Sequence, residues 1–534
     1  MRIEIEDPMA VTIRDVCFDL LRDRGLTTVF GNPGSNELPF LAGLTHDFQY
    51  VLGLHEGAVL SMADGFSLVS GQPVVVNLHS ASGSGNAMGA LTNAVYSHSP
   101  LVVTAGQQVR STIGQEVMLA NIDAAALPRP LVKWSSEPTC PDDVPRALSQ
   151  AIHFANLPAK GPVYLSIPYD DWAATAPVDT SRLFERTVVN ATGIGDEHLR
   201  ALVGTINAAD NPVLVLGAAV DADLANDHAI RLADVLRAPV WIAPSALRCP
   251  FPTRHPSFRG VLPAGVAALS RTLEGHDLIL VIGAPVFRYH QFDPGALLPD
   301  GARLIQITDD PSEAARAPMG EAIVAPVGAT LRQIAACVRV ADRPKLQPLV
   351  DFPEPATSPH ALHPETLFAL IRNTAPADAI YVNESTSTSE AFWAQMDLRQ
   401  PGSYFFPASG GLGFGLPAAV GAQMATDRQV VALIGDGSAN YGITALWTAA
   451  QYQVPVVFVI LNNGTYGALR NFGALLGTGE TPGLDVPGID FVCLAQGYGV
   501  GATRVDNAEA FTAAFKAALA AHTPQLIEAI TSFD

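Results

Sequence analysis

Short apolar runs rich in β-branched residues recur at 27–30, 73–78, 101–105, 163–167, 213–216, 240–243, 278–282, 304–308, 379–382, 430–434 and 456–461. None alternates strictly between apolar and polar positions. Such runs predict strands buried on both faces of parallel sheets. Helix-length, alanine-rich segments separate them. The pattern therefore predicts an α/β protein with several open parallel sheets.

The rhythm breaks twice. Residues 169–197 carry little periodicity. Residues 342–364 contain Pro344, Pro348, Pro353, Pro355, Pro359 and Pro364 and read as an extended linker. Three units follow, at 1–180, 190–342 and 360–534. The chain length of 534 residues agrees, because one domain takes about 150 residues. No internal repeat is visible in the sequence.

Composition narrows the class. Hydrophobic residues make up 48 % and charged residues 15 %, which suits large buried cores and excludes a mainly disordered chain. The net charge of −20 argues against nucleic acid or an anionic membrane as partner. A low charged fraction leaves room for subunit interfaces, so an oligomer is expected. Cys17, Cys140, Cys249, Cys337 and Cys493 form no CxxC pair. They read as reduced, mostly buried thiols of a cytoplasmic protein, with no cysteine-held metal. The first residues, MRIEIEDPMA, lack an apolar signal core, and no apolar run reaches membrane-spanning length.

The strongest chemical signal is a pair of strand tips. One run ends in Gly435-Asp436-Gly437-Ser438, the other in Asn462-Asn463-Gly464-Thr465. The spacing fits a βαβ unit with both tips at the carboxyl ends of neighbouring strands, where open α/β sheets bind ligands. Gly435 and Gly437 suit close approach of phosphate oxygens at a helix start. Asp436, the Asn463 amide oxygen and a backbone carbonyl near Thr465 are hard oxygen ligands for Mg²⁺, or Ca²⁺, bridging to a diphosphate. The plain alternative is an ordinary strand-to-helix turn. No GxxxxGK[ST] occurs, which excludes a phosphate-loop NTPase. No Gly-rich fingerprint marks the middle unit, so neither flavin nor NAD is expected.

This GDG…NN pair resembles the cofactor motif of thiamin-diphosphate-dependent enzymes. The resemblance implies three open-sheet domains: pyrimidine-binding (1–180), middle (190–342) and diphosphate-binding (360–534). It implies thiamin diphosphate with a divalent metal, and a homo-oligomer, often a tetramer, with active sites between subunits. Glu56, in the stretch after a strand at 52–54, stands where the family carries its essential glutamate, which shares a proton with the cofactor's pyrimidine ring. Without the family, Glu56 is a helix-start carboxylate near a positive dipole end.

Further stretches resemble the benzoylformate decarboxylase branch of that family: residues 31–40 (GNPGSNELPF), 77–90 (NLHSASGSGNAMGA) and 283–290 (GAPVFRYH). That branch implies decarboxylation of an aryl 2-oxo acid within mandelate metabolism. Ser35 then binds the substrate carboxylate, and His79 and His290 move protons. Asn32, Pro33, Gly34, Thr386, Ser387, Gly410, Leu412, Tyr466, Gly467 and Ala468 join Glu56 and the strand-tip residues around the cofactor. Leu119, Phe406 and Phe472 line an aryl pocket. The plain alternatives are a turn serine, a core histidine, a surface histidine and ordinary core aromatics. Pro407 and Asn471 depart from the pattern, where a cysteine and a tryptophan are expected. Two rivals stay open: another decarboxylase or an acetolactate-synthase-type carboligase of the same family, and a non-catalytic protein that kept the fold.

Overall fold

The computed structural model describes residues 11–177, 179–190, 193–291, 293–347 and 351–533. The N-terminal stretch 1–10 and Pro348, both used above, lie outside the described residues. Three six-stranded sheets follow one another along the chain, every strand pair parallel.

The first sheet contains β1 (Thr28–Gly31), β2 (Gln49–Leu52), β3 (Val74–Leu78), β4 (Leu101–Gln107), β5 (Trp134–Ser136) and β6 (Val163–Pro168), in the order β2-β1-β3-β4-β6-β5. The second contains β7 (Pro212–Leu216), β8 (Val240–Ile242), β9 (Phe258–Val261), β10 (Leu278–Ile282), β11 (Arg303–Thr308) and β12 (Glu321–Val324), in the order β12-β11-β10-β7-β8-β9. The third contains β13 (Ile380–Glu384), β14 (Tyr404–Phe405), β15 (Val430–Gly435), β16 (Val457–Asn462), β17 (Gly501–Val505) and β18 (Gln525–Ile530), in the order β14-β13-β15-β16-β18-β17. The first and third sheets thus share one topology, a structural repeat that the sequence does not display.

The unbroken apolar runs have a simple cause in the third sheet. Val430, Ala432, Ile434, Phe458 and Ile460 face a core continuous with that of the first sheet. Val431, Leu433, Val457, Val459 and Leu461 face a core continuous with the second. Both faces are covered, so both sets of side chains are apolar.

Two helices join the first and third sheets. Glu56–Ser70 crosses Gly415–Met424 at backbone contact: a Cβ on Gly65 would lie 2.0 Å from the Ala418 carbonyl oxygen, and one on Gly421 would lie 1.8 Å from that of Met62. Only glycine permits this approach. Tyr452 strengthens the join, accepting from Leu52 N–H at 2.9 Å and donating to the Tyr50 carbonyl at 3.0 Å.

Two expectations need correction. β2 spans Gln49–Leu52 and not 52–54, because Leu54 is exposed and leaves the sheet before the helix begins. The cysteines are not mostly buried: Cys140, Cys337 and Cys493 are exposed, and only Cys17 and Cys249 are buried. All five are free thiols.

Candidate active site

β15 and β16 are hydrogen-bonded neighbours, with Gly435 opposite Leu461. Asp436 and Asn463 therefore emerge side by side at the carboxyl edge of the third sheet. Asp436 is buried and starts the helix Asp436–Gly442. Its Oδ1 accepts from Gly437 N–H at 2.8 Å and its Oδ2 from Gly464 N–H at 2.7 Å. Burial pushes this carboxyl above its ordinary range, against the pull of the backbone N–H groups of Gly437, Gly464 and Asn463. Among the described residues no lysine or arginine pairs with it. Asn463 Oδ1 accepts from Thr465 N–H at 3.1 Å, and the Thr465 carbonyl from Gly467 N–H at 2.9 Å. Each of these oxygens keeps a second lone pair. A buried carboxylate, an amide oxygen and a carbonyl, without a side-chain cation, form a donor set that fits a hard divalent ion.

The two glycines of the tip differ in their surroundings. A Cβ on Gly435 would meet only ordinary contacts, the nearest at 3.7 Å. The bare Gly437 accommodates the Tyr466 ring, 2.5 Å from where a Cβ would stand. Gly467 is likewise covered by Phe533 and Ser387. Ser438 is buried, whereas Tyr466, Ala468, Thr386 and Ser387 are half-buried, Thr386 and Ser387 on the turn Thr386–Thr388 after β13.

The loop 409–413 is held from two sides. Asn93, on the helix Ser80–Tyr96, accepts from Ser409 N–H at 3.0 Å and donates to the Gly411 carbonyl at 2.9 Å. Glu384, fully buried at the end of β13, accepts from Gly413 N–H at 2.8 Å, Phe414 N–H at 3.1 Å and Gly415 N–H at 2.8 Å. It thereby caps the helix Gly415–Met424. Burial pushes Glu384 up to about 7, opposed by these three donors. Gly410 (φ +77°) and Gly413 (φ +97°) take left-handed backbone on either side of the half-buried Leu412. Glu384 and Asn93 escaped the sequence reading. A carboxylate closing a buried apolar strand was the available signal for Glu384.

The first sheet gathers a second set at its own carboxyl edge. Asn32, Pro33, Gly34 and Ser35 follow β1, and Ser35 is exposed at the start of the turn Ser35–Glu37. His79 follows β3 and precedes the helix Ser80–Tyr96, but its side chain does not cap it. The ring instead meets the buried Glu37, Nδ1 to Oε2 at 2.8 Å. Glu56 is buried as the first residue of its helix. Asn86 Nδ2 donates to Glu56 Oε2 at 3.0 Å, and among the described residues no donor meets Oε1.

The remaining residues divide between these sets. His290 is exposed, and its ring lies 5.2 Å from that of Phe472, on the helix Gly467–Leu476. A middle-domain histidine thus meets a third-domain aromatic. Phe406 follows β14, and its N–H donates to the Leu247 carbonyl at 3.1 Å. Pro407 is buried and Asn471 exposed. Leu119 is half-buried in a segment that Gln107 pins through Asn121, with bonds of 2.7 and 2.9 Å. Among the described residues no hydrogen bond or ion pair joins Ser35, Glu56 or His79 to Asp436, Asn463 or Thr465 of the same chain.

Three family models match: the thiamine pyrophosphate enzyme N-terminal TPP binding domain at 11–127, the central domain at 199–334 and the C-terminal TPP binding domain at 385–529. The fold and these three matches define a thiamin-diphosphate-dependent enzyme. A benzoylformate decarboxylase of Pseudomonas aeruginosa is 61% identical over 521 residues, 97% of this chain and 99% of the relative. A solved 4-hydroxybenzoylformate decarboxylase of Rhodococcus jostii is 71% identical, with a TM-score of 0.98 over 98% of this chain and 100% of its own. A benzoylformate decarboxylase of Polynucleobacter necessarius superposes with a TM-score of 0.95 at 37% identity, over 98% of this chain and 99% of its own. The chain belongs to the benzoylformate decarboxylase family of carboxy-lyases.

Proposed function

We propose that this protein decarboxylates an aryl 2-oxo acid without oxidation, releasing CO₂ and an aryl aldehyde, with benzoylformate or its 4-hydroxy derivative as substrate. The observation that carries this reading is the contact of His290 with Phe472, which sets a proton-transfer group against an aromatic wall. When bound, thiamin diphosphate supplies the nucleophilic carbon and the electron sink for loss of CO₂.

The chain's residues do the rest. Asp436, Asn463 and the Thr465 carbonyl would hold Mg²⁺, or Ca²⁺ through the same oxygens. Gly435, Gly437, Ser438, Thr386, Ser387, Tyr466, Gly467 and Ala468 surround the diphosphate end. Leu412, on the loop held by Asn93 and Glu384, would support the cofactor, and Asn32, Pro33, Gly34 and Gly410 would border it. Glu56 Oε1 holds the proton shared with the pyrimidine ring; Asn86 keeps the other oxygen occupied. Ser35 Oγ donates to the substrate carboxylate. His79, once Nε2 has taken up a proton to form the imidazolium, gives that proton to the substrate's keto oxygen, and His290 gives one to the carbon that loses CO₂. Leu119, Phe406 and Phe472 receive the aryl ring and exclude water, which favours loss of a carboxylate.

A second copy completes the site. Among the described residues of one chain the Glu56 set does not bond to the Asp436 set, and Leu54, Met118 and Ile122 on the first unit are exposed. These apolar side chains suit an interface between copies. We assign a homotetramer of three-domain chains (1–180 pyrimidine-binding, 190–342 middle, 360–534 diphosphate-binding). It acts in the cytoplasm, where its free thiols stay reduced, on an aryl 2-oxo acid of the mandelate series. No described helix is long and apolar enough to cross a membrane.

The test is aldehyde and CO₂ release with thiamin diphosphate and Mg²⁺ from benzoylformate, 4-hydroxybenzoylformate, pyruvate and 2-oxoisovalerate. An aryl acid should lead both aliphatic acids in kcat/KM by roughly tenfold or more, or about 1.4 kcal/mol in the transition state. A preference for an aliphatic acid overturns the aryl assignment and directs attention to Pro407 and Asn471.

A further inference from the structure

Glu37 is almost fully buried, yet among the described residues it pairs with no lysine or arginine. Three backbone N–H donors and the His79 ring surround its carboxylate instead. Oε2 accepts from Gly34 N–H at 2.9 Å and lies 2.8 Å from His79 Nδ1. Oε1 accepts from Gly106 N–H at 2.8 Å and Ser80 N–H at 3.2 Å. Two glycines clear the space. A Cβ on Gly34 would fall 2.0 Å from His79 Nδ1, and one on Gly106 would fall 2.3 Å from Glu37 Oε1. The ends of β1, β3 and β4 thus converge on one carboxylate.

We infer that Glu37 is the positioning residue for proton transfer by His79, an inference that rests on the function proposed above. A carboxylate engaged this way only accepts, so His79 Nδ1 carries the hydrogen. Nε2 is then the nitrogen that exchanges a proton with substrate. When Nε2 takes up a proton, the imidazolium faces a carboxylate that is already in place, so no group has to move. The same Oε2 holds the N–H of Gly34, next to Ser35. One side chain therefore fixes both the imidazole and the loop that presents the serine.

Glutamine does not reproduce this arrangement. With its NH₂ toward Ser80 and Gly106, two donors face a donor. With its NH₂ toward Gly34 and His79, only the Gly34 N–H is opposed, provided Nδ1 becomes an acceptor. The second orientation leaves one conflict in place of two. Glu37→Gln therefore places the hydrogen on Nε2 and inverts the tautomer of His79.

The experiment uses the enzyme loaded with thiamin diphosphate and Mg²⁺, as wild type, Glu37→Gln, His79→Ala and the double variant. Glu37→Gln should lower kcat for the aryl acid roughly 10–100-fold, with cofactor affinity within about threefold and a raised KM, because the Gly34 N–H beside Ser35 loses its acceptor. At saturating substrate the kcat of the double variant should match that of His79→Ala within about threefold, because Glu37 acts on kcat through His79. Multiplying effects, or a kcat within about threefold of wild type, overturn the proposal. A purely structural knot would lower the thermal midpoint of both backgrounds and multiply their losses. Should Glu37→Gln not fold, magic-angle-spinning ¹⁵N NMR of histidine-labelled wild type decides, with His79 assigned by its loss in His79→Ala. An Nδ1–H tautomer is expected, and an Nε2–H tautomer overturns the assignment. This measurement needs no turnover. If no aryl 2-oxo acid is consumed, the proposed function fails while the tautomer still tests Glu37.

Discussion

The crossing of Glu56–Ser70 over Gly415–Met424 sets the position of Glu56 relative to the loop that carries Leu412. Gly421→Ala tests it. The added Cβ would stand 1.8 Å from the Met62 carbonyl oxygen, 2.7 Å from its carbon and 3.0 Å from Phe66 N. An unstrained contact needs about 3.4 Å, so the helices must separate by roughly 1.6 Å, a gap that forfeits most of the dispersion attraction across it. All three obstructing atoms are backbone and cannot rotate away. Overpacking typically costs about 1–3 kcal/mol, and this case belongs at the upper end. Alanine's better helix propensity returns only about 1 kcal/mol. The net is a loss of roughly 2 kcal/mol. Gly204→Ala is the matched control, because Gly204 lies in the helix Asp196–Ala208 with nothing within 4 Å of its Cβ position. It should gain roughly 0.5–1 kcal/mol. Scanning calorimetry at one fixed rate compares the two, alongside kcat. A Gly421→Ala protein as stable as Gly204→Ala would refute the reasoning, since propensity alone would then govern both sites.

Four further outcomes are expected. Asp436→Ala removes the buried carboxylate ligand, so Mg²⁺-dependent thiamin diphosphate affinity by calorimetry should fall at least about 100-fold; unchanged affinity would disprove the cation assignment. Glu384→Ala strips three N–H groups of their acceptor, each orphan costing about 1–3 kcal/mol; denaturant titration should show a loss of at least about 3 kcal/mol. Burial pushes Asp64 up to about 7, against donation from Ser99. Its folded pKa lies above its unfolded one, so its contribution to stability is present below about pH 4 and lost as pH rises to about 7; Asp64→Asn should flatten the stability–pH curve across that window. His290→Ala should lower kcat at least about tenfold while the affinity for Mg²⁺ and thiamin diphosphate holds, and equal kcat values would remove His290 from proton transfer.

The interior strands were legible because both faces of each are buried, as β15 and β16 illustrate. The edge strands were not. Glu321–Val324 and Gly501–Val505 are largely exposed and carry no apolar run. β18 is buried, but Glu528 interrupts its run; that carboxylate is met by Arg504 and Asn462, which lie 24 and 66 residues away. The same distance effect hid Glu37 and Glu384. Their donors come from Gly106, 69 residues away, and from Gly413 to Gly415, 29 to 31 residues away. Local spacing reports strand tips such as Asp436 and Asn463. It does not report a carboxylate whose partners are assembled by the fold.

The shared strand order of the first and third sheets has a consequence for how such a chain could be rebuilt. β1 and β13, β3 and β15, and β4 and β16 occupy equivalent places. The loop bearing Ser35 therefore corresponds to the turn bearing Thr386, and His79 corresponds to Asp436. Equivalent strand ends of the two sheets thus open onto different residue types, a serine loop and a histidine in one, a threonine turn and an aspartate in the other. Each sheet is built from a contiguous stretch of chain. A loop exchanged between equivalent strand ends would therefore keep its strand frame while changing the side chains it presents.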